Sequence, residues 1–216
     1  MLNVRALQRK LMKLNYRIGK IDGVMGPRTR NAWELWTSRT LKLSKPKVVS
    51  SKHGVGPAWY LEALAQKGLH ERQNYSRLRS WFHKSVAWID PRKIAWCGAF
   101  VQTCIRLTVP DEDTPDNPLG ARNWARFGVG LKQPALGAVL VFWRGSRKGW
   151  KGHVGFYAGE DATTYLVLGG NQSNAVTISR VRKNRLLAIR WPKSAELPQS
   201  GKIKRTSKSI ISTNEA

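Results

Sequence analysis

An α+β fold is predicted for most of this chain by three features. Apolar residues recur at helical spacing from residue 57 to about residue 105. From residue 138 the chain becomes a series of strand-like runs divided by Gly, Asp and Asn turns. The connections between those runs are too short for crossover helices, so the sheet must be antiparallel. A chain of 216 residues, 41% hydrophobic and with ten tryptophans, can bury a core of this kind.

Taken in order, residues 4 to 14 set Val4, Leu7, Leu11 and Leu14 on one face of a helix, with Arg5, Arg9, Lys10 and Lys13 on the wet side. Gly19 and Asp22-Gly23 are turn chemistry, and Gly26-Pro27 opens a second helix whose apolar face is Ala32, Trp33, Leu35 and Trp36. These elements form a small helical domain over residues 1–43. The basic, Ser/Gly-punctuated stretch 44–56 reads as a linker, and His53 within it has no chemical role. Helices resume with Trp59, Leu61, Leu64 and Ala65, then with Tyr75, Leu78, Trp81 and Phe82. Glu71 reads as a solvated charge at a helix end. Asp90-Pro91 turns the chain into a third helix, where Cys97, Phe100, Val101 and Cys104 recur at i, i+3, i+4 and i+7. Between residues 108 and 134, Asp111-Glu112-Asp113 and Asp116 lack the twelve-residue pattern of a calcium loop and read as a surface loop, with a short helix at 121–128. Strands are expected at 138–143, 153–158, 164–168, 176–178 and 186–191. The domain 57–192 is followed by a polar, basic tail, 193–216, expected to be disordered.

Lys plus Arg number 38 against 13 Asp plus Glu, a formal net charge of +25. So large an excess points to a polyanionic partner: nucleic acid, anionic lipid or bacterial envelope polymers. No zinc-finger spacing, RNP aromatic motif or recognition helix supports specific nucleic-acid binding. Cys97 and Cys104 lie seven apart on one helix, about 10 Å at 1.5 Å per residue, too far for a disulfide. Two cysteines and four histidines make no zinc set, and neither a metal nor a cofactor is expected. No apolar run reaches the roughly 18 residues that span a bilayer. The start, Met-Leu-Asn-Val-Arg-Ala-Leu-Gln-Arg-Lys, is amphipathic rather than a secretory signal, so synthesis in a reducing cytoplasm is expected.

The residues that carry chemistry are far apart in sequence. Cys97 falls at the first turn of its helix, where unpaired N–H groups favour a thiolate and could hold an oxyanion; a lowered thiol pKa is expected. His153 begins a strand, with Gly155 leaving room on the same face. The next strand ends in Leu168-Gly169-Gly170-Asn171-Gln172, opposite the start of the His153 strand in an antiparallel hairpin, so that Asn171 or Gln172 can reach the imidazole. A thiolate, a base and a polar residue that orients the ring are the parts of a thiol hydrolase, expected to meet in a cleft open to a polymer.

Two resemblances follow from these residues. Leu7-Gln8, Leu11, Tyr16, Gly19, Ile21-Asp22-Gly23, Gly26, Thr29 and Ala32 resemble the repeat of the small helical peptidoglycan-binding domain, in a trimmed form that lacks the helix usual before Leu7-Gln8 and has Met25 for the common aromatic. The resemblance implies wall binding through Tyr16, Asp22, Gly23 and Arg28. Trp96-Cys97-Gly98-Ala99-Phe100-Val101, Gly152-His153-Val154-Gly155-Phe156-Tyr157 and Leu168-Gly169-Gly170-Asn171-Gln172 resemble the CHAP and NlpC-type cysteine amidases and peptidases, in the compact form found in phage endolysins. This second resemblance implies a papain-like fold over residues 57–192, Cys97 as nucleophile, His153 as general base and acid, and Asn171 as the third member. It also implies Trp96, Trp143 and Gln172 as groove residues and a monomer acting on bacterial peptidoglycan at the cell wall. An envelope-binding protein without activity and an acyltransferase on the same scaffold are the alternatives.

Overall fold

A computed structural model describes residues 3–14, 16, 18–43, 48–51 and 54–198. The chain divides into two compact units, 1–45 and 46–216.

The first unit holds helices α1 (Val4–Lys13) and α2 (Pro27–Leu43). Asn3 caps α1, its side-chain oxygen accepting the Ala6 N–H at 3.1 Å. Leu7, Leu11, Ile18 and Ala32 form a small core, with Tyr16, Met25, Trp33 and Trp36 packed against it. The turn between the helices is held by the side chain of Gln8, which is buried. Its amide nitrogen donates to Asp22 Oδ1 at 2.8 Å, to the Val24 carbonyl at 3.0 Å and to Thr29 Oγ1 at 3.2 Å, while its oxygen accepts the Gly23 N–H at 2.8 Å. Gly23 has φ 84° and lies so close to Arg5 that a Cβ there would stand 2.9 Å from Nε.

The second unit opens with a hairpin, β1 (Val48–Ser51) and β2 (Gly54–Pro57), paired antiparallel. The stretch read as a linker is therefore partly strand, and its sequence there includes the β-branched residues Val48, Val49 and Val55. His53 lies outside the described residues. Helices α3 (Ala58–Ala65), α4 (Tyr75–Trp81) and α5 (Cys97–Thr108) follow, then a short 3-10 helix, Ala121–Arg126. A six-stranded antiparallel sheet completes the unit: β3 (Val129–Gly130), β4 (Val139–Trp143), β5 (Gly152–Glu160), β6 (Thr164–Gln172), β7 (Ala175–Arg182) and β8 (Leu186–Trp191), in the order β3-β8-β4-β5-β6-β7. The architecture is α+β. Helix α5 packs on β5 and β6, with Phe100 and Phe156 ring centroids 6.2 Å apart. Trp59, Trp96, Trp124 and Trp191 are among the largest fully buried side chains of a single core. No helix among the described residues is long and apolar enough to cross a membrane.

Two expectations near the C-terminus are corrected. The packed region continues past residue 192: Ala195 is buried, and the Trp191 indole N–H donates to the Glu196 carbonyl at 2.9 Å. Glu112, read as part of a solvated loop, is buried and accepts the backbone N–H groups of Lys193 at 2.7 Å and Ser194 at 2.8 Å. It also accepts the Ser194 hydroxyl. These donors satisfy the buried carboxylate's acceptor sites. The tail 199–216 lies outside the described residues.

Candidate active site

Helix α5 brings Cys97 to its first turn because Trp96, the residue before it, leaves the helical region at φ −117° and ψ 13° and still accepts the Phe100 N–H at 2.9 Å. Gly98 is required next. A Cβ there would sit 1.9 Å from the Pro118 carbonyl oxygen, so the backbone at 118–119 passes directly over the helix start. On the other side, Gly170 of β6 presses on the helix, where a Cβ would come within 2.4 Å of the Trp96 ring.

Between these two contacts the thiol is nearly covered, with 6% of Cys97 exposed and none of His153, in place of the open cleft expected. Burial pushes the Cys97 thiol above its ordinary value. The N–H groups of Val154 and Gly98, the charge of Arg144 and the N–H of Cys97 itself all favour the thiolate, and burial outweighs them. The lowered pKa expected from the helix terminus is thus overturned in this covered state. The Val154 N–H is near enough to favour the thiolate, which brings the strand residue next to His153 into the neighbourhood of Cys97. Cys97 and Cys104 are both free, and Cys104, wholly buried, has its thiol pKa raised well above the ordinary value by burial and then by Glu62.

The partner of the imidazole is Gln172. His153 Nε2 and Gln172 Oε1 are 3.0 Å apart, both buried. The Gln172 amide nitrogen donates to the carbonyls of Val167 at 3.2 Å and Thr177 at 2.6 Å, so the amide cannot be turned round. Its oxygen must therefore accept, which puts a proton on Nε2 and leaves the lone pair of the neutral ring on Nδ1. Gly169 makes room for this bond, a Cβ there falling 3.0 Å from Gln172 Oε1 and 3.3 Å from His153 Nε2.

Asn171, the expected third member, does something else. The β6–β7 register shifts between Gly169 and Gln172, and Asn171 has φ 57°. This bulge breaks the alternation of the strand, turning Asn171 away from His153 and bringing Gln172 round to it. The Asn171 carboxamide oxygen accepts the Trp96 N–H at 3.1 Å, fixing the backbone just before Cys97.

Trp96 is not a groove residue: it is fully buried, and its indole N–H donates to Glu71 Oε2 at 3.0 Å. Glu71 in turn is 5% exposed rather than solvated, its own N–H donating to the Asn174 carbonyl at 2.8 Å. Trp143 lies half-buried at the end of β4, its indole N–H on the Asn184 carbonyl at 3.3 Å and Arg185 over its ring. Two contributors were not foreseen: Arg144 and the close approach at Gly98. Of these only Gly98 carried a signal, a helix-disfavoured residue in the first turn.

Among the residues attributed to wall binding, Asp22 and Arg28 line a hollow of about 330 Å³ together with Ile18, Lys20 and Thr29. Tyr16 packs on the small core instead, and Gly23 serves the turn. A hollow of about 780 Å³ is lined by residues 111–117, 123, 126–128 and 193–194, and neither Cys97 nor His153 is among them. Among the described residues no three His, Cys, Asp or Glu side chains are placed to hold a metal ion. The chain matches no protein-family model, no curated protein and no solved structure.

Proposed function

We propose that the second unit is a papain-like cysteine amidase or peptidase of the CHAP and NlpC type. It hydrolyses an amide in the peptide part of bacterial peptidoglycan, and the first unit binds the wall. The observation that carries this reading is the His153–Gln172 hydrogen bond, whose direction is set by two backbone carbonyls, in the same unit as a thiol at a helix N-terminus.

In the reaction, His153 Nδ1 takes the Cys97 proton as the sulfur attacks the scissile carbonyl. Charge on the carbonyl oxygen is held by N–H groups at the start of α5. The imidazolium then gives its proton to the leaving amine as the C–N bond breaks, leaving a thioester. Water, deprotonated by His153, cleaves the thioester and restores the thiol. Gln172 acts only through the ring, keeping Nε2 protonated throughout. Access to the sulfur requires a local opening of the packing that leaves Cys97 only 6% exposed. The +25 charge supports attraction to an anionic envelope and steers the protein to it.

Mass spectrometry of muropeptides after digestion of purified sacculi tests the reading. The expected products carry one added water at an amide and a new amino terminus; sacculi left intact by folded protein would overturn it. The cover over Cys97 favours a second reading, an envelope-binding protein without activity. Iodoacetamide separates the two, since an active enzyme opens often enough for Cys97 to be alkylated in the native state while Cys104 stays protected.

A further inference from the structure

We propose that the loop joining β4 to β5, residues 144–151, is a saccharide-binding edge that grips the glycan strand beside the peptide being cut; this rests on the hydrolase reading above. The loop reads Arg-Gly-Ser-Arg-Lys-Gly-Trp-Lys, four cations and no acid. It is held in shape from outside. Arg122, on the 3-10 helix Ala121–Arg126, donates from Nε to the Lys151 carbonyl at 2.8 Å and from its two terminal nitrogens to the carbonyls of Arg147 at 2.9 Å and Ser146 at 2.8 Å. Within the loop the Arg144 N–H donates to the Lys151 carbonyl at 3.1 Å and the Gly149 N–H to the Ser146 carbonyl at 3.2 Å.

On this clamped loop Trp150 is 83% exposed, more than any other large apolar side chain among the described residues. Folding does not account for an indole kept in water by a loop whose own backbone is so well tied down. Pre-organisation of an exposed aromatic among cations is instead a property of a recognition surface, where little freedom is left to lose on binding.

Its position selects the partner. Gly152 and His153, the first residues of β5, follow the loop directly, so Trp150 stands at the His153 end of the sheet. A peptide engaged there has its sugar within reach. The apolar C–H face of a pyranose fits the flat indole, and carboxylates of the polymer fit Arg147, Lys148 and Lys151, all exposed. A tryptophan with flanking cations also suits a bilayer interface. Adjacency to His153 favours the glycan, because a loop docked on lipid would turn the reacting end away from the wall.

The test uses full-length protein carrying Cys97→Ala, so that ligands stay whole. The Trp150 indole N–H is identified in ¹⁵N-correlated spectra by its absence in a Trp150→Ala variant. It is then followed during titration with a disaccharide-tetrapeptide, with the bare tetrapeptide, and with phosphatidylethanolamine–phosphatidylglycerol vesicles. The expected result is a saturating shift with the disaccharide-tetrapeptide alone, and binding weakened about tenfold by Trp150→Ala. Equal shifts with the bare peptide, no shift with either, or a response to vesicles only would overturn the inference, the last assigning the loop to a membrane. Hydrolysis of sacculi by the wild type without a Trp150 shift would remove this inference and leave the hydrolase. A shift without hydrolysis would remove the hydrolase and leave a saccharide site.

Discussion

Gln172 and Asn171 are adjacent amides with separate tasks, and substitution separates them. Gln172→Ala frees the imidazole to rotate and to take the wrong tautomer; kcat is expected to fall about 100-fold with KM little changed, as loss of an orienting group does in such sites. Asn171→Ala leaves the ring bond intact and releases the Trp96 N–H, so its main effect is expected on stability, about 1–2 kcal/mol by denaturant titration for a buried donor left unpaired. The reverse pattern, with Asn171 controlling kcat, would restore it as the ring's partner. Sequence left these two undecided because the reading assumes strict alternation, and the bulge at 170–171 is where alternation fails. The burial of the thiol is illegible for a related reason: the helix terminus shows in the run of residues 97–104, but the segments packed on that end of the helix, residues 118–119 over Gly98 and Gly170 beside Trp96, come from elsewhere in the chain.

At the scale of elements, α5 and β6 are held together by positions that tolerate no side chain. Gly98→Ala places a methyl group 1.9 Å from the Pro118 carbonyl, and Gly170→Ala places one 2.4 Å from the Trp96 ring. Each is expected to destabilise the protein by roughly 3 kcal/mol or more, read as a lower midpoint in urea, because the obstacle is backbone in one case and a fully buried indole in the other. Gly149→Ala, whose added Cβ would meet the Ser146 carbonyl oxygen at an ordinary 3.5 Å, is the neutral control. The helices and the longer strands were readable from helical spacing and from apolar runs bounded by turn residues, although β5 and β6 are buried along nearly their whole length and α1 and α2 pack in a small core of their own. The hairpin at 48–57 and the short strand β3 were not, having too few residues to set a period. Glu71 and Glu112 read as solvated from the sequence and are buried. Carboxylates are buried only where donors surround them, and those donors come from Trp96 in the one case and from Lys193 and Ser194 in the other.

For the whole molecule, charge and buried thiols set the response to conditions. Binding to sacculi is expected to weaken steeply between low and physiological salt, as measured by co-sedimentation, because the attraction is spread over many exposed cations. Burial raises the pKa of both Cys97 and Cys104 in the folded state, so above the ordinary thiol range, about pH 8.5, the unfolded chain loses protons that the folded chain keeps. Stability therefore falls as pH rises past that point. Cys104→Ala is expected to flatten this alkaline fall in the unfolding midpoint; a fall as steep as the wild type's would show that the thiols do not drive it. The central claim, that Cys97 is the nucleophile, is tested most directly by acid-quenching the enzyme during turnover of muropeptides and mapping adducts by mass spectrometry. The account predicts an acyl group on the peptide containing Cys97, and neither adduct nor turnover in Cys97→Ala. Turnover that persists in Cys97→Ala would contradict it.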